Sequence, residues 1–135
     1  MNLKEYFESK KGRGVLATAD DKGRVNAAIY ARPHVLDDFT VAFIMLDRLT
    51  HQNLQSNPHA AYLFMEEGKG FDGIRLMITK TREEQDSELL HSLRRKSYMK
   101  EQKAEETVRY LVYFKVDKIL PLLGAGVCPV EMPEK

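Results

Sequence analysis

The chain has no tryptophan and a single cysteine, Cys128, so neither an intrachain disulfide nor a zinc site built on paired cysteines can form. A lone thiol suits a reducing compartment, and the cytoplasm is the expected location. An excess of charge of one sign is also missing: 21 Lys and Arg stand against 20 Asp and Glu, a net charge of +1. Proteins held to nucleic acid by phosphate neutralisation usually carry a marked basic excess, so neither DNA nor RNA is an expected partner. Long apolar runs are absent too. Residues 41–46 and 119–130, the latter broken by two prolines and two glycines, fall short of the roughly 20 residues that span a bilayer. The opening Met1-Asn2-Leu3-Lys4-Glu5-Tyr6-Phe7-Glu8 is amphipathic, whereas a secretory signal needs an unbroken apolar stretch of roughly 7–15 residues. Neither a membrane segment nor export by that route is expected.

What is present is enough for a core. Of 135 residues 43% are hydrophobic and 30% charged, and a chain of this length buries about two-thirds of its unfolded surface. One domain, 1–135, is expected, and intrinsic disorder is excluded. Leu3, Tyr6 and Phe7 recur at helical spacing until Gly12 and Gly14, which predicts a short helix capping the core. Residues 14–19 and 25–31 read as a β-hairpin about Asp20-Asp21-Lys22-Gly23, with Gly23 free to take positive φ. After a turn at 36–38, the run 40–46 is rich in β-branched and aromatic residues and reads as a central strand buried on both faces. Residues 47–55 read as a helix with Leu49 and Leu54 inward, ended by Asn57-Pro58. Strands follow at 60–65 and 74–80 across the glycine-rich loop 68–73. A surface helix over 86–103 presents Leu89, Leu90 and Leu93, and a last strand over 107–116 places Tyr110, Val112, Phe114 and Val116 on one side. Six strands with tight turns among the first three exclude a doubly wound parallel sheet. A mainly antiparallel barrel with peripheral helices is predicted.

Few residues carry chemistry by pattern. Histidines 34, 51, 59 and 91 lie in four segments without metal-ligand spacing, so no bound metal is expected. Cys128 lies in an apolar tail without a base beside it, and Gly68-Lys69-Gly70-Phe71-Asp72-Gly73 lacks the Lys-Ser/Thr ending of a P-loop. Glu66 and Glu67 would point to opposite faces of a strand and read as solvated carboxylates. The segment 47–54 is more informative, because a buried strand feeding a helix N-terminus presents unpaired N–H groups and a positive dipole end. Arg48 supplies a delocalised cation suited to phosphate, Thr50 a hydroxyl, and His51 and Asn53 further donors. Ordinary capping by Asp47 or Thr50, with Arg48 solvated, explains the same residues equally well.

Taken together, Leu16-Ala17-Thr18 with Gly23, then Val25-Asn26-Ala27-Ala28, a strand, Thr50, Asn53-Leu54, Asn57-Pro58 and a further strand resemble the flavin-binding split-barrel superfamily. This is the fold of pyridoxamine 5'-phosphate oxidase and of small bacterial FMN-binding proteins. The resemblance runs well over 14–64 and more loosely beyond. It implies a six-stranded antiparallel split β-barrel and a homodimer with FMN at the subunit interface. It further implies that the phosphate lies near the strand-to-helix turn and the ring along the second and third predicted strands. By matching position to position, Arg48 and Thr50 fall where relatives contact phosphate, and Asn26, Ala27 and Ala28 fall in the stretch that contacts the flavin ring. His51 and Asn53 are adjacent candidates. Arg32 and His34 are either lining residues at the mouth or solvated neighbours of Pro33 at a strand end.

Two departures shape the functional expectation. Many relatives carry a Ser-Arg-Lys-like run at the phosphate turn, whereas Arg48-Leu49-Thr50 leaves one cation out. The tail Leu120-Pro121-Leu122-Leu123-Gly124-Ala125-Gly126 lacks the Arg and His pattern with which the true oxidase grips pyridoxal phosphate, so vitamin B6 oxidation is not expected. That tail, with Phe71, packs either on a partner subunit or on the chain's own core. The leading expectation is a flavin-dependent oxidoreductase or electron-transfer protein served by a small-molecule or protein donor and acceptor, with no identified catalytic residue. The alternative is a non-catalytic sensor, carrier or storage module for haem or a flavin.

Overall fold

Alternating apolar residues need a common surface to face, and here one sheet provides it. The computed structural model describes residues 1–94 and 108–133. Its elements are α1 (Leu3–Ser9), β1 (Gly12–Ala19), β2 (Val25–Ile29), β3 (His34–Asp37), β4 (Thr40–Leu46), α2 (Leu49–Ser56), β5 (His59–Glu66), β6 (Gly73–Gln85), α3 (Glu88–Arg94) and β7 (Arg109–Pro121). Seven strands form one antiparallel sheet in the order β2-β1-β5-β6-β7-β4-β3. The expected six-stranded split barrel is corrected in two respects: there is a seventh strand, and the sheet is not closed, because β2 and β3 stand at its edges. The seventh strand, β3, has four half-exposed or exposed residues and no alternation to reveal it. It becomes a strand only by pairing with β4, His34 opposite Ala42.

Other boundaries move for similar reasons. The first helix ends at Ser9, before Gly12 and Gly14 as expected, and the first strand starts at Gly12 rather than Gly14; both glycines let β5 approach closely. The sixth and seventh strands are 13 residues each and hold one another along most of that length, past register shifts at Met77/Ile78 and Lys80/Arg82. The charged run Arg82-Glu83-Glu84 hides this extension from any apolar pattern. Leu49 faces solvent rather than the core, and Leu89 is exposed while Leu90 is fully buried. The expected helix beyond Arg94, and Thr107 of the expected last strand, lie outside the described residues.

The inner sheet face wraps an aromatic cluster. Tyr6, Phe7, Phe43, Tyr62, Phe64 and Phe114 are buried and meet mostly edge to face, with centroids 5.0–6.4 Å apart. Such pairs add to the area term, and each ring brings a large apolar payload. Helix α1 caps this core as expected: Asn2 accepts from the amide of Glu5, and Leu3, Tyr6 and Phe7 are buried. Tyr6 donates its hydroxyl to Glu66 at 2.8 Å, so Glu66 is an engaged carboxylate rather than a freely solvated one. Burial first, then that bond and the carboxylate's charge, push the Tyr6 phenol far above its ordinary range. Arg32 donates to the carbonyls of Phe7 and Lys10 and ties the end of α1 to the segment after β2. The tail divides: Val130 is in the core, with Cys128 and Met132 against it, while Leu123 and Val127 are exposed.

The sheet curls until its two ends meet through side chains. The Tyr30 ring, just past β2, packs edge-on against Phe43 of β4 at 5.8 Å. Strand β4 is interior to the sheet and buried on both faces. Val41, Phe43 and Met45 enter the main core, while Ala42 enters a second cluster with Leu90, Leu111 and Tyr113 beneath α3. The outer face of β2, β1 and β5 is largely apolar yet uncovered: Val15, Ile29 and Leu63 stand in register, beside Val25, Ala27, Ala61 and Met65, with Arg13 opposite Met65 at its margin. No described helix is long and apolar enough to cross a membrane.

A Cβ at Gly14 would overlap the buried Tyr62 phenol, whose hydroxyl donates to the Tyr30 carbonyl at 3.1 Å. Gly14→Ala is therefore expected to cost about 1–3 kcal/mol of stability in urea unfolding. Gly124→Ala, where the space is open, is expected to stay within about 0.5 kcal/mol.

Candidate functional site

Only Asp47 and Arg48 separate β4 from α2, and Arg48 folds back so that its amide donates to the Leu46 carbonyl. The capping alternatives are decided against: Arg48 itself is the N-cap, in an extended conformation, and no side chain caps the helix. The first intrahelical bond runs from the Gln52 amide to the Arg48 carbonyl, which leaves the amides of Leu49, Thr50 and His51 at the helix opening. No acidic residue lies within the first turn, but Asp47, immediately before the N-cap, brings its carboxylate to His51 Nδ1 beside the opening. Arg48 is exposed, and its side chain pairs with none of the described residues. The uncapped helix opening and the exposed Arg48 therefore adjoin in the chain, and a helix N-terminus with a guanidinium beside it is the kind of place that receives an anion.

Helix α2 is held on two sides. Toward the hairpin, Asn26 donates to the Thr50 hydroxyl at 3.2 Å and Asn53 donates to that of Thr18 at 3.1 Å. Thr18, Thr50 and Asn53 are buried, and each keeps a hydrogen-bond partner as buried polar groups require. Toward the sheet's far end, the buried His51 ring stacks on Tyr110 at 4.0 Å. Its Nδ1 meets Asp47 at 2.8 Å and its Nε2 meets Glu83 at 2.9 Å. Glu83 also accepts from Gln55 at 3.0 Å and from Lys80 at 2.6 Å. Burial opposes ionisation of Glu83, but the hydrogen bonds from Gln55, Lys80 and His51 together with the imidazole's charge outweigh it and bring its carboxyl down to about 2.

The sequence-predicted residues therefore separate into groups. Arg48 and Thr50 stand at the helix opening. His51 and Asn53 lie on the same helix, with both His51 nitrogens and the Asn53 amide nitrogen turned into the protein. Along β2, side chains alternate: Asn26 and Ala28 lie opposite Thr18 and Leu16 on the inner side, whereas Ala27 lies opposite Ala17 on the outer face. Arg32 is spent on α1 and His34 lies in β3, so neither joins this group. Glu83 and Lys80 were not singled out in the sequence and Tyr110 was read only as a strand residue facing the core, because they sit on β6 and β7, far along the chain. The one legible signal was the i, i+4 ladder Asp47, His51, Gln55 on a helix face. Among the described residues no group of His, Cys, Asp or Glu could hold a metal ion, and the Cys128 thiol donates to the Val130 carbonyl at 3.0 Å.

No protein-family model matches the sequence, and no curated protein sequence does. Solved structures share the fold. An FMN-binding protein from Syntrophomonas wolfei superposes with a TM-score of 0.74 at 20% identity, covering 90% of this chain and 84% of that one. A candidate pyridoxamine 5'-phosphate oxidase from Lactobacillus delbrueckii gives 0.65 at 12% identity, over 89% and 92%. HutZ, the haem storage protein of Vibrio cholerae, gives 0.60 at 16% identity, over 90% and 95%. At these identities the likeness establishes the fold, which is the one that the sequence resemblance implied.

Because Glu83 has its folded pKa depressed, its stabilisation is fully present above the ordinary value near 4.5 and is lost as pH falls toward 2. Glu83→Gln is expected to lower stability by about 1–2 kcal/mol at pH 7. Urea unfolding from pH 7 down to pH 2.5 checks this, with the gap between variant and parent closing below pH 4.

Proposed function

We propose that this chain is an FMN-binding protein that works as a homodimer and passes electrons or a hydride through the flavin. The observation that carries the reading is the opening of α2, which no side chain caps, with an exposed Arg48 that pairs with none of the described residues, in a fold shared with an FMN-binding protein. The guanidinium of Arg48, the amides of Leu49 and Thr50 and the Thr50 hydroxyl would hold the phosphate. Strand β2 pairs only with β1, so its other edge offers backbone donors and acceptors to the polar rim of the ring. The short side chain of Ala28 leaves a flat ring room to approach on the inner side, where Asn26 stands next to Thr50, while Ala27 would meet the ring only along the strand edge. His51 and Asn53 serve the site through their hold on α2. Leu49, where many relatives carry a cation, leaves phosphate recognition to one guanidinium.

The uncovered outer face supports the homodimer. Val25 is 83% exposed and Ile29 62%, and they continue into Leu63 and Met65. A contiguous apolar face of this kind marks an interaction surface, and a second copy offers the same chemistry about a two-fold axis. When bound, the isoalloxazine supplies the redox chemistry, and the chain's own residues bind it, orient it and keep its phosphate neutralised. No side chain is required as acid or base, and the donor and acceptor are a small molecule or a second protein in the cytoplasm.

A second reading is non-catalytic carriage of haem or a flavin, favoured by the fold shared with a haem storage protein. His51 is sealed between two carboxylates, so an axial ligand would come from His34, His59 or His91.

The absorption spectrum of the purified protein, titration with FMN and with haem, and mass spectrometry of any released chromophore test these readings. One FMN per subunit is expected. Arg48→Ala and Thr50→Ala are expected to weaken FMN tenfold or more, the order of a charge-assisted hydrogen bond. Unchanged affinity would sink the phosphate contact, and a Soret band without flavin binding would favour haem. Ile29→Lys is expected to convert a dimer to a monomer in sedimentation equilibrium.

A further inference from the structure

The His51 cluster is more elaborate than packing one helix requires. A buried imidazole lies flat on Tyr110, its two nitrogens face carboxylates from different elements, and one of those carboxylates also binds Gln55 and Lys80. Asp47 precedes α2, His51 and Gln55 lie on it, Lys80 and Glu83 belong to β6, and Tyr110 belongs to β7. Asp47 and His51 stand at the helix opening and the others behind them, yet none of them takes part in the proposed phosphate contacts. Across the helix, the Thr50–Asn26 and Asn53–Thr18 bonds fasten the same turn to the hairpin. The opening is therefore set between two anchors, one on each wing of the curled sheet.

We propose that the His51–Glu83 pair is a positioning device for anion recognition: it sets the pitch of α2 so that the amides of Leu49 and Thr50 and the Arg48 guanidinium meet at one phosphate. This rests on the flavin reading above. His51 does not touch the ligand; it acts through the first turn of α2, which it shares with Thr50. Losing the pair lets that turn tilt on its remaining anchor. The donors at the opening then shift relative to one another, and a multidentate anion contact is sensitive to such shifts. The cost falls on the phosphate alone. Flavin ring binding, which uses β2 on the other side of Asn26, is left as it was.

The test compares FMN with riboflavin, which has the same ring and no phosphate. Dissociation constants for both are measured by flavin fluorescence with the full chain, its His51→Phe and Glu83→Gln variants, and the double variant. His51→Phe keeps the ring on Tyr110 and removes the two nitrogens; Glu83→Gln keeps the shape and removes the charge. Each single variant is expected to weaken FMN by about tenfold, the order of one charge-assisted hydrogen bond. Riboflavin is expected to stay within about twofold, and the double variant to be no weaker than either single one, as for groups acting as one unit. Equal losses for FMN and riboflavin would show a merely structural role and overturn the proposal, as would unchanged FMN affinity. Circular dichroism confirms folding, and Glu83→Gln carries the comparison if His51→Phe does not fold.

Failure of the flavin reading is distinguishable. If the unaltered chain binds neither flavin, inorganic phosphate is titrated against its amide NMR spectrum. Shifts at Leu49 and Thr50 that vanish in Glu83→Gln support the positioning role without flavin. Absence of such shifts in the unaltered chain overturns it.

Discussion

Two residues join the most deeply packed interior strand to the helix that carries the candidate site, and this short connection is the constraint on which the rest depends. Strand β4 is buried on both faces, with Val41, Phe43 and Met45 in the aromatic core and Ala42 in the cluster under α3. A strand packed this way has no freedom to slide, because a slip of one residue would exchange its two buried faces. With only Asp47 and Arg48 to follow, the start of α2 inherits that rigidity. The amides at that opening and the Arg48 side chain, which pairs with none of the described residues, are therefore presented at a place the core defines.

The split in the sheet follows from the same helix. A seven-stranded sheet that curls this strongly could close by pairing its edges, but its ends meet through the Tyr30 and Phe43 rings rather than through backbone bonds. Helix α2 is fastened to both wings, by Thr50 and Asn53 to the hairpin and by His51 to β6 and β7. The seams differ in character. Core packing between aromatic rings is strong and tolerant of small shifts, whereas hydrogen bonds from amides and an imidazole set angle and distance. The fold thus places its directional interactions next to the helix opening, where geometry matters, and its non-directional ones in the core. The outer face of β2, β1 and β5 is the counterpart: Val25, Ile29, Leu63 and Met65 there stand exposed to solvent.

Much of the fold was legible residue by residue. The short amphipathic helix, the hairpin at Gly23, the doubly buried run 40–46 and the alternation of Tyr110, Val112, Phe114 and Val116 all read correctly, since each is a local pattern with a single physical solution. Strand β3 did not, because four half-exposed residues after Pro33 have no intrinsic reason to be extended until β4 lies beside them. The length of β6 did not either: Arg82, Glu83 and Glu84 look like a solvated run, yet they pair with β7 and supply Glu83 to His51. The same holds for Glu66, a surface carboxylate in sequence that accepts from a core tyrosine.

At the site, the sequence by itself placed Arg48 and Thr50 at a strand-to-helix junction, because that is a local pattern, and left capping by Asp47 or Thr50 as an equal explanation, which the structure removed. Only the tertiary structure decided how the other candidates are used. His51 and Asn53 read as donors for a ligand, but their nitrogens are engaged by Asp47, Glu83 and Thr18, partners from elements that folding alone brings together. Whether a side chain serves the outside or the inside depends on what lies across from it. That is a property of packing between distant segments, and no local pattern contains it.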